Sequence, residues 1–261
     1  VSDLFFWVIV LQKCLTTTAM AEEKRKILVL VEGAKTDVAL MERLLSVYHI
    51  DIKYKIVSYC TNIYTLYHEM FEDNDPADMD LLQLLKSREP DPVKKALFDE
   101  FYSDILLIFD LDPHDPGFAP EKISRMARYF VESSDMGKLY INYPMVEAFY
   151  HMASIPDPNF DSYYATLDEL IAGEYKARVN RENRNHDYRK FAATKEECNI
   201  VIKQNTNKAW RLVGGDSGVD LLPAQIGMLA AQLNFIQKDR RVAVLSTCAF
   251  FIPEYNSELI R

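Results

Sequence analysis

The apolar positions of this chain follow two alternating periods along its first 155 residues. Residues 26–31, KILVLV, run almost unbroken in aliphatic side chains and stop on Glu32-Gly33. A short continuous run of this kind predicts a strand buried on both faces. After Gly33 the period turns helical, with Val38, Met41, Leu44, Leu45 and Tyr48 on one face. Residues 53–59, KYKIVSY, alternate as a second strand, and residues 62–71 return to helical spacing. Residues 104–112, DILLIFDLD, form another continuous apolar strand that closes on carboxylates. Residues 121–134 predict a helix with Ile123, Ala127, Phe130 and Val131 inward, and residues 138–142, KLYIN, a strand. Residues 144–152, PMVEAFYHM, start a helix with proline in the tolerated first turn. Strands alternating with helices place the chain in the α/β class, with a mainly parallel sheet flanked by helices.

Two stretches depart from this rhythm. Residues 72–100 are acidic and proline-punctuated, and read as a surface insertion of short helices within an α/β domain spanning residues 24–155. From about Pro156 the pattern becomes helical: residues 160–185, 194–213 and 221–237 all carry helical spacing, with GGDSGVD at 214–220 as a turn. Residues 156–261 are therefore expected to form a helical C-terminal subdomain, with residues 242–260 giving no clear period. At the N-terminus, the apolar run 4–11 is too short to span a bilayer and lacks the basic flank of a signal peptide. Residues 1–19 read as an upstream or disordered extension before Met20. The expectation is a cytoplasmic protein with no membrane partner.

Composition narrows the function classes. With 261 residues, 49% hydrophobic and 26% charged, the chain can bury a sizeable core. A net charge of −9 argues against coating nucleic acid by bulk electrostatics. It leaves open a local grip on a phosphodiester through a metal and one basic patch. The cysteines, Cys14, Cys60, Cys198 and Cys248, lack metal-ligand spacing and read as reduced thiols, so no zinc site is expected.

The carboxylates at strand ends carry the candidate chemistry. Strand residues two apart face the same way, so Asp110 and Asp112 in DLD present their anions side by side. Oxygen ligands of this kind suit Mg²⁺ or Mn²⁺. His114 and Asp115 follow in the same loop as a further ligand or outer contact. Ligands in parallel α/β sheets gather at the carboxyl ends of strands, where Glu32 also sits. If the two strands are neighbours, three carboxylates converge. Lys35 stands one turn into the following helix, either approaching a phosphate or solvated. Residues 176–190 hold six Lys/Arg, namely Lys176, Arg178, Arg181, Arg184, Arg189 and Lys190, flanked by Tyr175 and Tyr188. They read either as a nucleic-acid backbone contact with base stacking or as a solvated helix face. The IFDLD stretch also resembles the nucleophile motif of haloacid-dehalogenase phosphatases, with Asp110 as nucleophile. That motif normally continues with glycine on the first core strand, and here Pro113-His114 follows on a later one.

Together, VEGAKTD and IFDLDPHD resemble the Toprim domain of topoisomerases, primases and OLD-family nucleases, over about residues 24–155. The resemblance implies Glu32 as general acid/base or metal ligand, and Asp110 and Asp112 holding Mg²⁺ or Mn²⁺. NYPMVEAFYHM is similar to a segment of stand-alone bacterial Toprim proteins from phage-defence loci, the RloB-like proteins among them. By that likeness Glu147 joins the site; the residue-level alternative is a first-turn carboxylate favoured by the helix dipole. The resemblance implies a nuclease acting on DNA or RNA in anti-phage defence, with an ABC- or SMC-type ATPase as a possible partner and an oligomer as a possible state. A non-catalytic adaptor docking on such an ATPase is the alternative within the same family.

Overall fold

The computed structural model describes residues 26–73, 75–215 and 222–260. The expected extension at 1–19, Cys14 and the Asp216 turn lie outside the described residues. The first part of the chain runs β1 (Ile27–Val31), α1 (Thr36–Val47), β2 (Tyr54–Ser58) and α2 (Ile63–Tyr67), which widens into a π turn at His68–Glu72. Then come α3 (Leu81–Arg88), α4 (Pro92–Leu97), β3 (Asp104–Asp110), α5 (Pro120–Tyr129) and β4 (Lys138–Asn142).

The four strands form one parallel sheet in the order β2-β1-β3-β4. Its central pair, β1 and β3, is buried at every position, which is why both sequences are continuously apolar. β2 lies at an edge and is only partly buried, with Val57 its one buried residue. Burying each central Leu or Ile contributes about 1.5–3 kcal/mol before chain entropy is counted. Helix starts follow side-chain caps: Asn62 accepts from the Thr65 amide, Asp80 from Gln83, and Asp91 from Val93. Leu81, Leu85 and Phe98, from or beside α3 and α4, sink into the core.

Two local expectations change. α5 ends at Tyr129, so Phe130 stays buried while Val131 is 50% exposed and instead bridges to Lys138. Residues 144–152 form no α-helix. Tyr143 pairs with Leu245 and the Pro144 carbonyl accepts from Asp112, which holds the segment extended before a single 3-10 turn, Val146–Tyr150.

The C-terminal part is mainly helical: α6 (Leu167–Ile171), α7 (Tyr175–Glu182), α8 (Lys195–Leu212) and α9 (Gln225–Asp239), with a final α10 (Phe251–Tyr255). Thr194 and Glu197 form a capping pair at the start of α8. The stretch at 160–185 is not one helix. It opens with a short strand, β5 (Tyr164–Thr166), paired antiparallel to β6 (Arg241–Ala243), and Gly173 at φ +70 separates α6 from α7. The period-free tail folds back on the sheet. Val242 to Ile252 is buried throughout, and Tyr255 Oη donates to Asp104 Oδ1 at 2.9 Å. Glu254 takes Lys138 and the Tyr140 hydroxyl of β4. No helix among the described residues is long and apolar enough to cross a membrane.

Candidate metal centre

From β1 the chain crosses outward to β2, and from β3 outward to β4, so the topological switch point lies between β1 and β3. Parallel sheets open a crevice there, beyond the carboxyl ends of the strands. Val31 pairs with Ile108, which puts Glu32 level with the end of β3. Its Oε2 accepts the Asp110 backbone N–H at 3.2 Å. β3 stops at Asp110, and the next two amides donate to the Asn142 and Pro144 carbonyls at 3.0 and 3.1 Å. Asp112 takes φ 40, a left-handed conformation that aspartate tolerates better than most residues. Strand alternation alone therefore does not bring the pair together; a left-handed Asp112 does. Carboxylate oxygens of Glu32, Asp110 and Asp112 all lie within 4.8 Å of one another.

These three open into a cleft of ≈ 400 Å³ that Asp37, Glu147, Lys35 and Lys176 also line. Asp37 was not singled out from sequence. It is 7% exposed in the first turn of α1, and its carboxylate takes the Gly33 amide. A Cβ at Gly33 would stand 2.6 Å from Asp37 Oδ2, so the glycine is what lets this carboxylate sit against the β1–α1 turn. Its signal in the sequence was the four-residue spacing from Gly33, which has meaning only once the turn is known. Glu147, 6% exposed, rides on the Val146–Tyr150 turn, with Oε1 3.5 Å from Lys176 Nζ. Glu147 Oε2 and Asp112 Oδ1 are buried without a hydrogen-bond partner.

Negative charge crowded into a poorly hydrated cleft raises every one of these carboxyls above its ordinary range. Burial pushes Glu32 up to about 8, with Asp112 and Asp37 adding to it and the Asp110 amide and Lys176 opposing. Burial likewise lifts Asp112 to about 6, with Glu147 and Asp115 adding, against His114 and Lys176. Asp110 is raised by burial, then by Glu32, Asp112, Asp37 and Glu147. Burial also raises Asp37 and Glu147. Desolvation alone would lower Lys176, but Glu147, Asp110 and Asp112 outweigh it, so Lys176 is raised as well and stays charged. The cleft is short of positive charge.

Lys35 is exposed at the rim as the residue before α1. Asp115 stands outside the carboxylate group: its oxygens accept from Asn62 Nδ2 at 2.7 Å and the Gly117 amide at 2.6 Å, which shapes the loop after β3. His114 is exposed in the same loop. Of residues 176–190, Lys176 alone reaches the cleft lining. Arg178 pairs with Glu169 and the Tyr164 carbonyl, Arg181 with Glu182, Arg184 with Glu197, and Arg189 with Asp187. Lys190 is exposed on a 3-10 turn, Tyr188–Lys190. Tyr175 is 1% exposed against His151, so it offers no face for base stacking, and Tyr188 packs on Tyr150 at 5.5 Å.

Comparison of the chain with protein-family models, with curated proteins and with solved structures finds no match in any of the three.

Proposed function

We propose that this protein is a Toprim-type nuclease that needs Mg²⁺ or Mn²⁺ to hydrolyse phosphodiester bonds of DNA or RNA. The observation that carries the reading is the convergence of Glu32, Asp110 and Asp112 at the sheet's switch point. The donor set suits a hard divalent cation: carboxylate oxygens only, two of the cleft's oxygens buried without a partner, and two lysines, Lys35 and Lys176, against five acids. Uncompensated buried anions cost several kcal/mol each, and a divalent ion offsets that cost. Asp110 and Asp112 would hold it, with Glu32 at the third position and Glu147 and Asp37 beside them.

When bound, the ion supplies positive charge to the phosphate and to the developing oxyanions. Everything else falls to side chains of the chain itself. Glu32, tethered through one oxygen to the Asp110 amide, would serve there either as a ligand of the ion or, left free of it, as the group that holds and passes a proton. Lys176, its side chain 62% exposed, stands at the mouth where a phosphate oxygen would enter. A role in bacterial anti-phage defence, in the cytoplasm and with an ATPase partner, rests on the resemblance of VEGAKTD, IFDLDPHD and NYPMVEAFYHM alone.

The test is purified protein with DNA, tRNA and a generic phosphatase substrate, with and without either ion. Cutting that is lost in Glu32→Gln supports the nuclease. Covalent phosphorylation of Asp110 would replace it with a phosphatase. No turnover together with a stable ATPase complex would replace it with an adaptor.

A further inference from the structure

Asn142 is completely buried at the end of β4, directly paired with Asp110 in the sheet register. Its side-chain oxygen accepts three donors from one short segment of the C-terminal tail: Ser246 Oγ at 2.9 Å and the Thr247 and Cys248 amides at 3.3 Å each. Two of these donors are backbone N–H groups and cannot reverse. A flipped amide would set its NH₂ against them and turn an oxygen toward the Asp110 carboxylate. The orientation is therefore locked, and Nδ2 donates to Asp110 Oδ1 at 3.3 Å.

The turn that does the locking is itself anchored. Thr247 Oγ1 donates to the Ile141 carbonyl at 2.9 Å, and the Ser246 amide to Asn205 Oδ1 at 2.8 Å, within α8. Asn205 in turn donates to the Val201 carbonyl at 2.9 Å. A continuous chain of hydrogen bonds thus runs from α8, through the tail at 246–248, to one oxygen of Asp110. Other carboxylates surround Asp110, and Asn142 is its side-chain hydrogen-bond donor among the described residues.

We infer that Asn142 is a positioning residue for the metal centre, fixing the Asp110 carboxylate for cation binding under the control of the 246–248 turn. The inference rests on the metal-centre reading and deepens it. Outer partners of this kind commonly set metal affinity by about 10–100-fold. The C-terminal helical part then contributes to the site without supplying a ligand.

The experiment is Mn²⁺ binding followed by electron paramagnetic resonance in the wild type, Asn142→Asp and Ser246→Ala. Aspartate keeps an oxygen for the three donors, and in place of the N–H aimed at Asp110 it sets a carboxylate oxygen. An added carboxylate beside the site by itself favours a cation, so a residue that merely closes the turn would leave Mn²⁺ affinity in Asn142→Asp equal to or above that of the wild type. The inference expects a loss of about 10–100-fold with near-ultraviolet circular dichroism unchanged. Affinity equal to or above the wild type overturns it. Should Asn142→Asp fail to fold, Ser246→Ala, outside the cleft, decides: a few-fold loss is expected, and unchanged affinity overturns the inference. A wild type that takes up no Mn²⁺ would instead strike the metal-centre reading itself.

Discussion

Gly33 and Asp37 explain each other at the scale of single residues. The β1 strand ends on Glu-Gly because a carboxylate four residues on folds back over the turn, leaving no room for a Cβ. Gly33→Ala keeps an ordinary backbone, so the chain still folds, but it pushes the Asp37 carboxylate out of its contact with the turn amide. The expected outcome is a loss of about 10–100-fold in Mn²⁺-dependent kcat/KM. Asp37→Asn, which retains the space but not the charge, should fall in the same range. Wild-type kcat/KM in both variants would remove Asp37 from the site. Asp112 makes the complementary point, because its left-handed backbone, not strand alternation, turns its carboxylate toward Asp110.

The elements were legible wherever burial alone wrote the pattern. β1 and β3 are fully buried and their continuous apolar runs announced them; α1 and the cap-marked α8 were equally plain. Glu32, Asp110 and Asp112 could be read because each ends or follows such a strand. The misses arose where long-range pairing overrode local preference. Residues 144–150 carry a helical pattern, yet Tyr143 bonds Leu245 and Pro144 bonds Asp112, contacts about a hundred and about thirty residues apart in sequence that no local period encodes. Asp37, Asn142 and the role of Lys176 were hidden for the same reason. The tail at 242–252 gave no period because only its ends join short elements, β6 and α10, and the stretch between them is buried as an irregular segment against β4 and the sheet. Phe251 of α10 packs on Tyr54 of β2 and Tyr140 of β4 and is fully buried. Phe251→Ala should therefore cost about 3–5 kcal/mol in chemical denaturation, as for a central core residue. A cost within about 0.5 kcal/mol, the range of a surface change, would show that the tail is not part of the core.

For the whole molecule, the acid cluster is expected to couple stability to pH and, on the proposed reading, to metal. Glu32 and Asp112 have folded-state pKa values above their ordinary ones, so the folded chain keeps protons that the unfolded chain releases. Metal-free protein is therefore expected to lose stability as pH rises between about 5 and 8, the direction set by the larger proton count of the folded state. Cation binding needs the ionised oxygens, so the stabilisation given by saturating Mn²⁺ should widen over the same interval. Thermal melts with and without Mn²⁺ across that range check the sign. A gap that stays constant or narrows with rising pH would contradict it. On the proposed reading, the net charge of −9 adds a further constraint: a nucleic-acid substrate would be drawn in locally, past Lys176 and Lys35 at the cleft, and not by the surface as a whole.

The most direct measurement of the central claim is phosphodiester cleavage as a function of Mn²⁺ concentration, in the wild type and in Asp110→Asn. The account predicts cleavage by the wild type that rises to saturation with Mn²⁺ and vanishes in EDTA, and none by Asp110→Asn at any concentration. Cleavage that persists in EDTA, or that Asp110→Asn supports at the wild-type rate, would contradict it.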